Sequence, residues 1–347
     1  MKPTFFRLIN AEDVAALLAM DELIELMEDA LRKFSMGQVL QPVRTVIPVG
    51  NHEFFAVMPA LVRDPPIVGT KLVTVFGRNA ALDLPTHLAA IFLLSPHTGA
   101  LVAVMDGQRI TAARTAAVSA VSATALARDD SSVLAIIGSG VQARSHLEAM
   151  EIAFELSEVR VWSPTPEHQM AFLEEMQSTT TATLVGADSV EQACRGADLI
   201  VLATSAMEPV LQTDWVKGGA HVIGVGACRP NQREMDPALV RRGRLFVDSR
   251  EAAIVESGDI VMGIAEGHFS ASHIVGELGA VLAGTVEGRR TAKEVTIFKS
   301  LGMAVEDVVA ANLVYQRALD QDAGVELQLS GLVEKAEQEN AEDTGDS

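Results

Sequence analysis

Apolar positions change their spacing three times along this chain. Over residues 21–37, Leu23, Ile24, Leu26, Met27, Ala30, Leu31 and Phe34 recur at helical intervals. Asp21 stands ahead of them as an N-cap and Gly37 behind them as a stop, which predicts an amphipathic surface helix. Strand-length apolar runs follow at 43–49, 54–61, 68–76, 88–94 and 101–105, separated by Gly, Pro and Asn at hairpin-like distances. Such a sheet has a face to cover, and a second copy of the chain is one way to cover it. Residues 110–127 (ITAARTAAVSAVSATALA) then predict a long helix of small side chains, packed closely on all sides and bridging two domains.

From Val133 the pattern becomes strand alternating with helix. Strands are expected at 133–137, 159–162, 183–185, 199–203, 221–225 and 245–247, six in all. That spacing describes an α/β fold, a Rossmann doubly wound parallel sheet preceded by an N-terminal α+β domain. A helical region is expected at 274–282, a short strand at 295–298 and a last helix at 304–319. That helix has no place in a six-stranded sheet of this kind and returns to the first domain. The expected domains are thus 1–122, completed by 304–330, then 123–303, then an acidic tail over 331–347.

The first strand of the second domain runs into VLAIIGSGVQAR, with Gly138, Gly140 and Ala143 in G-x-G-x-x-A spacing at the start of a helix. Missing side chains let a pyrophosphate approach the backbone, and a helix start offers unpaired N–H groups and a partial positive charge. A dinucleotide cofactor is expected. An acidic residue at the end of the second strand would bind the ribose diol of NAD, but the chain has Trp162, Ser163 and Pro164 there. With the carboxylate gone and hydroxyls at Ser163 and Thr165, NADP(H) is favoured and NAD(H) remains open.

Hydrophobic residues make up 48% and charged residues 21%, as in soluble globular proteins. A net charge of −19 without a basic stripe excludes a general nucleic-acid binder. No apolar run approaches membrane-spanning length, and the start reads without a signal segment. Two cysteines, Cys194 and Cys228, make no disulfide framework, and the eight histidines show no ligand spacing, so no metal site is expected. A cytoplasmic setting is the expectation.

Arg114 stands alone among small residues of the long helix, where a guanidinium is costly unless an anion answers it. At this point the strings QPVRTVIPV (41–49), GTKLVTVF (69–76), AVMDGQRITAARTAAVSA (103–120), IIGSGVQARSH (136–146), VGACRPNQREMD (225–236), VDSREAAIVESGD (247–259) and FKSLGMAVEDVVAANLVY (298–315) come into view together. In that order they resemble the ornithine cyclodeaminase/mu-crystallin family, nearest its ketimine-reductase branch. The resemblance implies a homodimer joined through the N-terminal, substrate-binding domain. It places a carboxylate-binding trio on Arg44, Lys71 and Arg114, a cofactor- or substrate-contacting hydroxyl on Thr86, and cofactor contacts on Thr204 and Ser300. The candidate cofactor set is therefore Gly138, Gly140, Val141, Gln142, Ser163, Thr165, Thr204, Gly226, Ala227 and Ser300. Two departures matter. Cys228 stands where cyclodeaminases carry an aspartate, and Pro164 where NADP-using reductases tend to carry an arginine.

The expected chemistry is reduction of a 2-imino acid to a cyclic amino acid. Arg44 and Arg114 would fix the carboxylate, and Lys71, its ammonium destabilised by burial, would deliver the proton. His87 reads as a core histidine, Cys228 as small packing, and Asp248 and Glu256 as loop-orienting. The rival expectations are an ornithine or lysine cyclodeaminase, an alanine-type dehydrogenase, and a non-catalytic NADPH-dependent binder of a small ligand.

Overall fold

The computed structural model describes residues 3–50 and 53–329. The acidic tail expected over 331–347 lies outside the described residues. The chain forms two compact units. One comprises Met1–Ala19, Leu40–Ile110 and the chain from Asp307 onward; the other comprises Met20–Val39 and Thr111–Glu306.

A mixed sheet holds β1 (Phe5–Ile9), β2 (Val39–Leu40), β3 (Thr45–Gly50), β4 (Glu53–Arg63), β5 (Pro66–Val75), β6 (His87–Leu94), β7 (Leu101–Asp106) and β16 (Val325–Gln328). Its order is β16-β1-β7-β6-β5-β4-β2, with β3 paired to β4. The β1–β7 pairing is parallel, and the meander from β3 to β7 is antiparallel. The second sheet is parallel and contains β8 (Val133–Ile137), β9 (Glu158–Trp162), β10 (Thr183–Gly186), β11 (Leu199–Leu202), β12 (His221–Gly224), β13 (Arg244–Val247), β14 (Ile274–Glu277) and β15 (Thr296–Lys299). Its order is β10-β9-β8-β11-β12-β15-β13-β14. Strands β11, β12 and β15 are buried along their whole length, as expected where both faces of a parallel sheet are covered. The strand order reverses at β8, where sheets of this kind bind ligands beyond the strands' carboxyl ends.

The helices are α1 (Ala11–Leu17), α2 (Met20–Ser35), α3 (Gly107–Leu126), α4 (Val141–Ala153), α5 (Pro166–Met176), α6 (Val190–Cys194), α7 (Pro237–Arg242), α8 (Arg250–Glu256), α9 (Gly258–Ala265), α10 (Leu278–Leu282) and α11 (Ala304–Asp320). The small residues of α3 do what their size suggests. Ala116 and Ala120 are fully buried and pack against Ala149 of α4, which only side chains of that size allow.

Several expectations need correction. Helix α2 starts at Met20, so Asp21 lies inside its first turn rather than capping it. The expected helix over 274–282 is strand β14 followed by the short α10. A four-residue run buried among apolar neighbours has no period that separates strand from helix. The parallel sheet accordingly has eight strands rather than six: β14 extends one edge, and the short strand expected near 295 inserts as β15 between β12 and β13. Strands β1 and β16 and helix α1 were not expected. Asn10 caps α1, its side-chain oxygen accepting from the Asp13 N–H.

Candidate active site

Strand β5 alternates buried and half-buried positions, and Lys71 falls on the buried face with Gly69 and Val73. Across the ladder it pairs with Met58 of β4 and Ile91 of β6, and Ile91 pairs in turn with Met105 of β7. All three are buried apolar side chains, so an ammonium in this row has to be answered from off the sheet. Asp307 of α11 answers it, with Oδ2 2.6 Å from Nζ and both side chains almost inaccessible. Gly69 permits that approach, since a Cβ there would lie 3.2 Å from Val308 of the same helix. The counter-charge changes the expected electrostatics. A carboxylate in direct contact stabilises the ammonium form, opposing what burial alone would do.

Arg114, also expected to be costly, is answered in the same manner. Its Nη1 donates to Oε2 of Glu306 at 2.7 Å, and Glu306 also accepts from the Met303 N–H. The guanidinium lies against Gly302, where φ is +80° and a Cβ would come within 2.5 Å of Nη1. Glycine is required there twice over, by conformation and by space. Asp248, at the end of β13, fixes this turn by accepting from the N–H groups of Leu301 (2.5 Å) and Gly302 (2.7 Å), so its loop-orienting role is visible directly. Arg44 is half-buried in the residue just before β3. Thr86 is exposed just before β6, and its carbonyl accepts from the Phe76 N–H. His87 is the half-buried first residue of β6.

The glycine turn has the shape its spacing suggests. Gly138 has φ +122°, and a Cβ there would sit 2.5 Å from the Ala203 carbonyl oxygen at the end of β11. Gly140 is the N-cap of α4, no side chain caps that helix, and a Cβ on Gly140 would meet open space. Val141 is exposed, and the Gln142 Oε1 is buried without a hydrogen-bond partner. A phosphate-bearing dinucleotide fits this arrangement: open room over a glycine, and an uncapped helix start whose N–H groups can donate to an anion. Gly138→Ala is expected to weaken reduced-nicotinamide binding at least about tenfold, measured by fluorescence titration, because the added methyl must displace backbone at Ala203.

Past β9, Ser163 is buried and its hydroxyl accepts from Ser139 at 2.9 Å, which ties the end of β9 to the glycine turn. Thr165 is the N-cap residue of α5 without a side-chain capping bond. Ser300 leaves β15 with its backbone bonded to Gly224, while its Oγ is buried and unpartnered. Thr204, Gly226 and Ala227 are engaged by one residue that sequence reading missed. Glu234 Oε1 accepts from the Thr204 N–H (2.8 Å) and hydroxyl (2.7 Å), and Oε2 accepts from the N–H groups of Gly226 (2.8 Å) and Ala227 (3.1 Å). Those two backbone donors are therefore spent inside the protein. Cys228 is half-buried and its thiol donates to the Val225 carbonyl, a packing role. Cys194 is buried, and loss of solvation pushes its thiol up to about 12.

Residues 7–322 match the profile of the ornithine cyclodeaminase/mu-crystallin family. The chain belongs to that family. It is 45% identical over 312 residues to the ketimine reductase mu-crystallin of Mus musculus, covering 88% of this chain and 96% of the relative. Among solved structures it is similar to the Thermococcus litoralis Δ1-pyrroline-2-carboxylate reductase in complex with NADH and L-proline. There the TM-score is 0.90 at 37% identity, over 92% of this chain and 99% of that one. An archaeal alanine dehydrogenase dimer with bound NAD gives a TM-score of 0.90 at 30% identity, over 94% and 100%. Glu306 and Asp307 were missed; they stand as two successive carboxylates in the largely apolar AVEDVVAANLV, which does not by itself say which cations they meet.

Proposed function

We propose that this family member is an NAD(P)H-dependent reductase of cyclic imino acids, of the pyrroline- or piperideine-2-carboxylate type, forming the cyclic amino acid. One observation carries the reading: two successive carboxylates of α11, Glu306 and Asp307, each hold a buried cation, Arg114 and Lys71, the two that the family resemblance assigns to the substrate carboxylate. Buried pairs of this kind are poor stabilisers and are retained where the charges serve another purpose. The parallel sheet serves as a Rossmann-type, doubly wound dinucleotide-binding domain, expected at 123–303. The mixed-sheet domain, 1–122 with 304–330, serves substrate binding and dimerisation.

Bound reduced nicotinamide supplies a hydride to the imine carbon. Arg44 and Arg114 hold the substrate carboxylate through paired N–H donors and so orient the C=N bond. Lys71, paired with Asp307, provides the proton that the imine nitrogen must gain as the carbon is reduced. Gly138, Gly140, Val141 and Gln142 hold the pyrophosphate, while Ser300 offers its free hydroxyl to the cofactor. Ser163 and Thr165, with no carboxylate beside them, favour a 2′-phosphate, so NADPH is the preferred donor. Every residue of β3 is exposed, Val46, Ile47 and Val49 among them, and this apolar edge is the surface on which a second copy docks. Among the described residues no helix is long and apolar enough to cross a membrane.

A panel of cyclic ketimines, linear imino acids and amino acids, each offered with both nicotinamide cofactors and followed at the reduced-nicotinamide absorbance, tests the reading. The expected result is NADPH oxidation with cyclic ketimines and formation of the ring amine. Ammonia release from an amino acid with oxidised cofactor, and no turnover of ketimines, would establish the dehydrogenase or cyclodeaminase instead. Tight ligand binding with no cofactor oxidation would establish a binder.

A further inference from the structure

We infer that Glu234 is a positioning residue for the cofactor site, clamping the loops that leave β11 and β12 into one fixed arrangement. The inference rests on the dinucleotide-binding reading above and goes beyond it, because Glu234 lies beneath the loops rather than among the residues expected to touch the cofactor. Its carboxylate is fully buried and takes four hydrogen bonds, two from Thr204 on the β11 loop and two from Gly226 and Ala227 on the β12 loop. One side chain thus joins the two loops that form one side of the crevice between β8 and β11, where sheets of this order bind ligands. Close packing enforces the clamp. A Cβ on Gly226 would lie 1.9 Å from the Thr204 carbonyl oxygen and 2.5 Å from Glu234 Oε1, so the two loops touch across the carboxylate.

The clamp is itself held. The Glu234 N–H donates to Asp259 Oδ1 at 2.9 Å, as does that of Met235. Asp259 Oδ2 lies 3.7 Å from the ammonium of Lys299, and that ammonium donates to the carbonyl of Gly224, the last residue of β12. The chain of contacts therefore closes on the strand from which the Gly226 loop departs. Asp259 and Lys299 are as inaccessible as Glu234, so solvent cannot substitute for any member. Burial pushes the Glu234 carboxyl up from the usual range while the Lys299 ammonium opposes that shift. Four donors converging on both oxygens demand an acceptor at each. An amide in this place has one acceptor and one donor, so Glu234→Gln, although equal in size, sets N–H against N–H on one loop.

The test compares Glu234→Gln with Asp198→Asn. Asp198 is a carboxylate that likewise accepts two backbone N–H groups, from Ser132 and Val133, but at the opposite end of the sheet. NADPH and NADH dissociation constants are read by fluorescence titration alongside thermal midpoints. Glu234→Gln is expected to weaken binding of the preferred cofactor at least about tenfold. Asp198→Asn is expected to lower the midpoint while leaving that constant within about twofold. Unchanged binding in Glu234→Gln, or equal weakening in both variants, overturns the inference. Should Glu234→Gln not fold, Asp259→Asn keeps the Oδ1 acceptor and removes the charge beside Lys299. It is expected to weaken binding about three- to fivefold, and unchanged binding there overturns the inference as well. If the wild-type protein binds neither cofactor, it is the dinucleotide reading that fails, which is a separate result.

Discussion

Lys71→Met is expected to lower kcat/KM for a cyclic ketimine by about a thousandfold or more and to destabilise the fold by about 3–5 kcal/mol. The two effects have different origins. Methionine fits the apolar row of Met58, Ile91 and Met105, but it takes away the ammonium that the buried Asp307 carboxylate faces, and breaking a buried ion pair from one side is costly. The kinetic loss is that of a proton donor, where removal costs on the order of a hundred- to ten-thousandfold. A second variant separates them. Lys71→Met combined with Asp307→Leu removes both charges, and apolar replacement of a buried pair is commonly neutral or stabilising. Denaturant unfolding of the double variant is expected to recover most of the stability lost in the single one, with turnover no better. Recovery of turnover along with stability would show that Lys71 only holds the fold, and retention of a tenth of wild-type activity in Lys71→Met would remove it from the proton-transfer role.

That pair also marks where sequence reading reached its limit. The glycine turn at 138–140 was readable because its requirement is local: strand, two glycines and helix lie within a dozen residues. Arg114 was readable as a candidate because a lone cation among small side chains needs an explanation, whereas Lys71 came only with the family resemblance. Their partners were not, because Glu306 and Asp307 lie 192 and 236 positions further along the chain, and only the path of α11 brings each to its cation. Glu234 escaped for a related reason. A glutamate in a polar loop, NQREMD, reads as solvated, and nothing short of the fold shows four donors around it. Strand β14 escaped because four buried residues have too little period to classify, and β1 because Arg7 interrupts its apolar run. Arg7 in fact turns to the Ala323 carbonyl and Asp322, close to the strand β16 that pairs with β1.

Acidification from pH 7 to pH 5 is expected to cost the folded protein about 4 kcal/mol through two histidines the proposed reaction does not use. His146 and His221 are completely buried. Loss of solvation pushes His146 down to about 4 and, with the Arg289 charge nearby, His221 down to about 3. Both are held neutral by loss of solvation, which outweighs the opposing effect of their hydrogen bonds. His146 Nδ1 meets the Gln142 carbonyl and Nε2 the Ser119 hydroxyl, while His221 lies between the hydroxyls of Thr296 and Ser122. The unfolded chain takes up a proton on each near pH 6.5, whereas the folded chain does not until far lower, so the unfolded state binds more protons throughout this window. Stability therefore rises with pH here and is lost on acidification, each histidine contributing about 2 kcal/mol by pH 5. Glu234 and Asp259, whose carboxyls burial raises, act in the opposite direction. They are common to wild type and variant, so the comparison that isolates the histidines is His221→Asn against wild type by urea unfolding at pH 7 and pH 5. The variant is expected to lose about half as much stability from this source across the interval. An unchanged difference between the two pH values would mean that His221 is already protonated in the folded protein, contrary to its surroundings.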